Sequence, residues 1–280
     1  MRAAVLYKAL DMRVEELPEP RPATGEALVR VKSVGICGSD FHYWKNGRVG
    51  SYVVEAPLIL GHELSGVVEE LGPGPSSFAA GDRVVVEPGV PCRRCAYCKQ
   101  GRYNLCGEMR FMATPPVNGA FAEYVAVPQD FLHRLPERMT FEEGAMVEPL
   151  AVGIHAAKRA PITLGATVAV MGAGPIGLLA GEAARASGAG EVYVVDIDPW
   201  RLEKAKGAGA SRVLNPLEED VVEALRDFTG GEGVDVAIEA SGSAVAMAQA
   251  LEAVKRGGSV VLIGLYAERT VPAPLLGVIE

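Results

Sequence analysis

Four cysteines crowd into a short stretch at Cys92-x2-Cys95-x2-Cys98-x7-Cys106. Two-residue gaps let successive thiolates face one point, and tetrahedral zinc takes four such ligands. A site closed by four protein ligands leaves no open position, so its role is structural. It would order a loop, roughly 88–110, that has little apolar core of its own. The nearby Arg93, Arg94, Lys99 and Arg102 offset part of the thiolate charge. An iron–sulfur cluster is the competing metal reading, since compact cysteine spacings also suit one. A fifth cysteine, Cys37, stands apart in Gly35-Ile36-Cys37-Gly38-Ser39-Asp40-Phe41-His42. His62-Glu63 follows Gly61, and Glu148 follows Val147. Taken singly, each of these is as readily a small buried thiol or an ordinary polar residue. Together they offer thiolate, imidazole and carboxylate, a set that binds a catalytic zinc with one position left for water or substrate.

A second chemistry is written at Gly172-Ala-Gly174-Pro175-Ile176-Gly177. This G-x-G-x-x-G lies between a predicted strand and a predicted helix, the context that gives the pattern meaning. The first glycine permits a tight turn, the second lets the backbone approach a pyrophosphate, and the third lets helix and strand pack closely. The helix N-terminus then offers free N–H groups to the phosphates. Asp196 ends the next strand about 20 residues on, where an acid accepts the ribose hydroxyls of NAD and repels the 2′-phosphate of NADP. Arg201 tempers that preference, because it could reach a phosphate or stack on adenine. Leu265, just past the fifth predicted strand, completes the cofactor-binding set, and Ile176 serves both core and cofactor floor.

The elements that position these groups fall into two styles. Up to about residue 150, short β-rich runs at 26–35, 65–72, 81–88 and 121–128 are broken by Gly and Pro, which suggests an irregular, barrel-like β domain. From 151 the chain alternates. Apolar strands are predicted at 167–171, 191–196, 211–214, 234–240 and 259–264, with helices at 175–187, 201–210, 221–228 and 244–255. A connecting helix is expected at 151–160. Strands apolar throughout, separated by helices, imply a doubly wound parallel sheet covered on both faces. The expected fold class is α/β, with domains 1–150 and 151–280.

Composition narrows the partners. The 280 residues are 49% hydrophobic and 22% charged, enough apolar material for two cores, and the formal net charge is −8. An acidic chain gains little from phosphate backbones or anionic lipid, so neither nucleic acid nor a membrane surface is an expected partner. No apolar run is long enough to span a bilayer. The opening MRAAVLYKAL is too short and mixed for a signal peptide. Clustered thiols in odd number fit a reducing cytoplasm better than a disulfide framework.

The strings GICGSDFHYW, GHELSGVVEELG, the four-cysteine lobe, EEGAMVEPLAVGIHA and VAVMGAGPIG resemble the zinc-containing medium-chain dehydrogenases. FHYWKNGRVG, MRFMATPP and FEEGAMVEPL are similar to the sorbitol (polyol) dehydrogenase branch. The resemblance implies a GroES-like catalytic domain followed by a Rossmann domain. It implies Cys37, His62 and Glu63 as catalytic zinc ligands, although in some relatives the carboxylate at the position of Glu63 stands behind the ligands without touching the metal. Glu148 would hold a water or the substrate. Ser39 would take the substrate proton and His42 would end the relay, while Tyr43 and Phe111 line the pocket or simply pack. The implied reaction takes hydride from a secondary alcohol of a polyol to NAD, giving a ketose. L-threonine 3-dehydrogenase is the near alternative, and a non-catalytic NAD-binding remnant the more distant one. The resemblance also implies a homo-oligomer, usually joined through a sixth Rossmann strand. Since this chain ends shortly after the fifth, that strand and interface are expected to be missing.

Overall fold

The computed structural model describes every residue except Ala267, Arg269 and 275–280. It divides into two compact units, Met1–Glu148 and Pro149–Glu280. In the first, a five-stranded antiparallel sheet runs in the order Tyr124–Pro128, Glu26–Gly35, Glu63–Leu71, Arg83–Val86, Leu132–Arg134. A three-stranded sheet pairs Asp11–Glu16, Arg2–Lys8 and Leu58–Ile59. Val29, Leu64, Val68, Val84, Val86 and Val125 fill the core of the larger sheet. Its long central pair is irregular, with register shifts between Leu28 and Val29 and between Val31 and Ser33. Such bulges bend a strand and re-aim the residues beyond them. Gly35 nonetheless lies opposite Glu63 at the far end of this pair.

The second unit carries a five-stranded, all-parallel sheet in the order Arg212–Leu214, Glu191–Val195, Thr167–Met171, Val234–Glu239, Val254–Leu262. Val168 and Val170 belong to one apolar cluster while Ala169 and Met171 belong to another. That is the two-sided burial expected of strands with no polar alternation. Helices Pro175–Ala186, Pro199–Gly207, Val221–Phe228 and Ala244–Ala253 separate the strands. Asp198 caps the second by accepting from the Trp200 N–H, and Asp220 the third by accepting from Val222 and Glu223. Among the described residues no helix is long and apolar enough to cross a membrane.

Element ends differ from expectation where a local pattern met a tertiary demand. The connecting helix is Val147–Arg159 and starts four residues before the predicted 151, so it includes Glu148. The second sheet helix begins at Pro199, behind its Asp198 cap, and stops at Gly207. Val254 and Lys255, predicted helical, belong to the last strand, because Val254 pairs with Val234 across a register shift. Two strands at the N-terminus, Arg2–Lys8 and Asp11–Glu16, were outside the predicted set.

At the start of Thr167–Met171, Asp235 accepts from the Thr167 N–H at 2.7 Å and the Thr167 hydroxyl at 2.8 Å, and pairs with Lys255 at 2.6 Å. Burial alone would raise its pKa, but Lys255 and Thr167 together pull it down to about 2. A depressed carboxylate contributes stability that is whole above its unfolded value of 3.8 and fades as pH falls toward the folded value. Asp235→Asn is therefore expected to cost about 1–2 kcal/mol at neutral pH. The gap to wild type should close between about pH 4 and pH 2, read from urea midpoints across that range. A pH-independent gap would count against the ion pair as its source.

Candidate active site and cofactor loop

Cys37 precedes the helix Gly38–Asn46, and its backbone N–H donates to Asp40 Oδ2 at 3.0 Å. The other oxygen of Asp40 accepts from the Gly61 N–H at 2.9 Å and lies 3.9 Å from His62 Nδ1. Asp40 is only 2% exposed, so one buried carboxylate ties the Cys37 turn to the Gly61-His62 turn. The antiparallel register does the rest. Gly35 faces Glu63, and a Cβ on Gly35 would overlap the Glu63 carboxylate. Gly35 is thus the residue that leaves Glu63 room beside Cys37. The result is a cluster in which Cys37, His62 and Glu63 each offer one donor atom, all within 4.8 Å of one another.

Neither Asp40 nor Gly35 was among the candidates read from sequence. The Cys37–Asp40 spacing held a signal, an acid three residues on that can return to a helix N-terminus. The Gly61 contact held none.

The electrostatics of the cluster leave it in want of a cation. Burial lifts the Cys37 thiol to about 11, against the partial opposition of the Ser39 hydroxyl and N–H. Burial also raises Glu63 and lowers His62. Burial and the neighbouring Glu63 and Asp40 carboxylates lift Glu148 to about 7. Among the described residues, His62 Nδ1 is buried with no hydrogen-bond partner. A divalent ion between thiolate, imidazole and carboxylate would offset these penalties, since a bound cation reverses the local pKa logic. The donor set therefore fits zinc.

Glu148 reaches this neighbourhood through the helix Phe141–Ala145, where Ser65 Oγ donates to the Phe141 carbonyl. Ser65 lies two residues beyond Glu63 on the same strand, so the strand that offers Glu63 also anchors the segment leading to Glu148. Ser39 and His42 are three apart on Gly38–Asn46, which puts them on one helix face. Phe111 meets the His62 ring edge-on at 5.3 Å. Tyr43 is buried with Leu6, Leu58 and Leu60.

In the cysteine lobe the four sulfurs of Cys92, Cys95, Cys98 and Cys106 also lie within 4.8 Å of one another. The Cys92 N–H points at Cys106 Sγ at 3.3 Å, and the Cys95 N–H at Cys92 Sγ at 3.4 Å. The backbone N–H groups of Arg94 and Cys95 bring Cys92 down to about 7, while burial and the sulfurs of Cys95 and Cys106 push Cys98 up. Arg93 pairs with Asp130 at 2.8 Å and Arg94 with Glu108. Tyr97, Tyr103 and Leu105 are exposed, which leaves the lobe without a core of its own. All five cysteines of the chain are free thiols.

In the second unit, the three loop glycines have three different surroundings. Gly172 has φ +112° and lies against Ala240 and Ser241. A Cβ on Gly174 would meet nothing within 4 Å, and one on Gly177 would overlap the Gly172 carbonyl. Gly174 caps the helix that opens with Pro175. Open space at a glycine on a helix N-terminus is what a pyrophosphate needs. Asp196 accepts from the Ala173 N–H at 2.7 Å and the Asp198 N–H at 2.9 Å, which fixes it beside the loop. Arg201 lies 3.8 Å from both Asp196 and Asp198. Ile176 is half-buried and Leu265 exposed.

Residues 23–137 match the alcohol dehydrogenase GroES-like domain family, and 175–279 the zinc-binding dehydrogenase family. The sorbitol dehydrogenase of Bacillus subtilis (strain 168) is 48% identical over 272 residues, covering 97% of this chain and 77% of the relative. The chain belongs to the zinc-containing medium-chain dehydrogenases. Its sequence groups this dehydrogenase with the sorbitol dehydrogenase branch, since the Homo sapiens sorbitol dehydrogenase is also 45% identical, over 97% of this chain and 76% of the relative. Among solved structures, an Escherichia coli oxidoreductase/dehydrogenase of unknown specificity matches with TM-score 0.93 at 38% identity, over 99% of this chain and 80% of the other. The dehydrogenase therefore shares its fold with proteins whose substrates differ or are unassigned, and specificity must be argued from the site.

Proposed function

We propose that this dehydrogenase oxidises a secondary alcohol of a sorbitol- or xylitol-like polyol to a ketose, with NAD as the hydride acceptor. The observation that carries the reading is the convergence of Cys37, His62 and Glu63 donors within 4.8 Å, with His62 Nδ1 buried and without a hydrogen-bond partner. The substrate class rests on the sorbitol dehydrogenases at 48% and 45% identity. Cys37, His62 and Glu63 would hold the catalytic zinc, and Cys92, Cys95, Cys98 and Cys106 the structural one. Bound at the first site, the ion supplies Lewis acidity that lowers the pKa of an alcohol toward neutrality.

The chain's own residues do the rest. Asp40 holds Cys37 and His62 in register. Glu148 orients the substrate hydroxyl or a water. Ser39 accepts the hydroxyl proton, and His42, one helical turn on, passes it outward. Phe111, against His62, gives the site an apolar wall, and Tyr43 backs it from the core. Gly172, Gly174, Pro175, Ile176 and Gly177 cradle the NAD pyrophosphate, Asp196 accepts its ribose hydroxyls, and Arg201 and Leu265 flank the nucleotide. Arg201 is engaged by two carboxylates, which disfavours its use for the 2′-phosphate of NADP. Five unpaired thiols favour a reducing cytoplasm.

The test follows NADH appearance by its near-ultraviolet absorbance with sorbitol, xylitol, L-threonine and ethanol, using NAD or NADP. Sorbitol or xylitol with NAD should exceed threonine and ethanol in kcat/KM by at least about tenfold, because a site built for several hydroxyls is left unpaired by substrates that lack them. Preference for threonine would replace the polyol reading. NAD binding without turnover of any alcohol would mark a non-catalytic remnant.

A further inference from the structure

One buried carboxylate has no part in the chemistry above. Glu239 ends the strand Val234–Glu239 and is 0% exposed. Its Oε1 accepts from the Ser241 N–H at 2.7 Å, the Ser241 hydroxyl at 2.6 Å and the Gly242 N–H at 2.9 Å. Its Oε2 accepts from the Tyr266 hydroxyl at 2.7 Å. Its backbone carbonyl accepts from the Ile263 and Gly264 N–H groups at 2.8 and 3.0 Å. Burying a carboxylate is costly unless its oxygens are matched in this way, and an apolar residue at a strand end would avoid the cost altogether. A fully matched buried carboxylate is therefore a device for holding loops in one arrangement.

The loop that Glu239 holds abuts the glycine loop. A Cβ on Gly172 would come within 3.0 Å of the Ser241 nitrogen and 3.1 Å of the Ala240 carbonyl carbon. The Ala240 N–H donates to the Met171 carbonyl at 2.8 Å. Thr167–Met171 and Val234–Glu239 are neighbours in the sheet, and the chain reverses its direction of growth between them. Open parallel sheets bind ligands at such a switch point, beyond the carboxyl ends of the strands.

We propose that Glu239 is a positioning residue for the cofactor: gripping Ser241 and Gly242 with one oxygen and Tyr266 with the other, it fixes the second wall of the dinucleotide cradle opposite Gly172–Gly177. The inference rests on the reading of that glycine loop as the NAD site. Nucleotide affinity then depends on a carboxylate enclosed by the loops themselves.

The test is NADH titration by fluorescence on the full chain, with thermal midpoint, zinc content and the KM for alcohol measured alongside. Glu239→Ala should weaken NADH binding by at least about tenfold, the loss of charge-assisted hydrogen bonds at one group, with zinc content and alcohol KM unchanged. Glu239→Gln keeps an acceptor for Ser241 and Gly242 and should recover most of the affinity. Tyr266→Phe leaves the Oε1 bonds in place and should weaken NADH by about threefold. If Glu239→Ala does not fold, Tyr266→Phe decides. Wild-type NADH affinity in the variants that fold, with only the thermal midpoint lowered, would reduce Glu239 to a structural role and overturn the proposal. A wild-type chain that binds no NADH would instead overturn the dinucleotide reading beneath it.

Discussion

Cys37→Ser is expected to lower the zinc content from about two ions per chain to about one and to reduce alcohol oxidation by about a thousandfold or more. Burial lifts the Cys37 thiol to about 11, and a bound divalent cation favours the thiolate over the thiol. A serine hydroxyl is far harder to ionise and is a poor zinc ligand. His62 and Glu63 alone leave the ion with two protein donors in a place that needs three. Asp40 still receives the backbone N–H of residue 37, because that contact does not use the side chain. The fold around the site should therefore persist, and NADH binding, proposed to rest on Gly172–Gly177, should stay within about twofold of wild type. Metal analysis by mass spectrometry beside activity and NADH titration separates these effects. Retention of about two zinc ions with full activity would remove Cys37 from the ligand set.

The second large effect is expected at the cysteine lobe. Cys106→Ser should also cost one zinc ion, from the other site, and lower the thermal midpoint by about 10 °C. Cys106 is the buried member of the four and receives the Cys92 N–H at 3.3 Å, so its loss breaks both the ligand set and the loop closure. Exposed Tyr97, Tyr103 and Leu105 leave no apolar core to hold the lobe once the metal is gone. Limited trypsin digestion supplies an independent readout, because Arg93, Arg94, Lys99 and Arg102 are all exposed. Cleavage in the lobe should be rapid in Cys106→Ser and slow in wild type. A variant as stable and as resistant as wild type would show that the four thiols do not share a metal. Cys37→Ser and Cys106→Ser thus lose the same number of ions with opposite consequences, one for chemistry and one for stability.

What could be read from sequence followed sequence separation. The four-cysteine spacing and the G-x-G-x-x-G loop are local, so their geometry is set by a few residues and was visible before any fold. The parallel sheet was visible because its strands are apolar on both faces, and the helix Val221–Phe228 matched its predicted limits because its apolar spacing and Asp220 cap are also local. The exception is the local hairpin of Arg2–Lys8 and Asp11–Glu16, which sequence hides because its Ala9-Leu10 turn carries no Gly, Asn or Asp although Leu10 has φ +64°. The last strand starts at Val254, not at Ser259, because pairing with Val234 overrode a run of good helix formers.

Residue types and short spacings by themselves pointed to the chemistry proposed for this chain: thiolates for zinc, glycines for a pyrophosphate, an acid for a ribose. Tertiary structure alone decided the supports. Asp40 reaches Gly61, Gly35 clears room for Glu63, and Glu239 receives Tyr266. Each joins stretches held together by sheet register or by a loop crossing. The physical reason is that a hydrogen bond or a vacant Cβ position is defined by distance in space, and distance in space between remote residues exists only once the strands between them have paired.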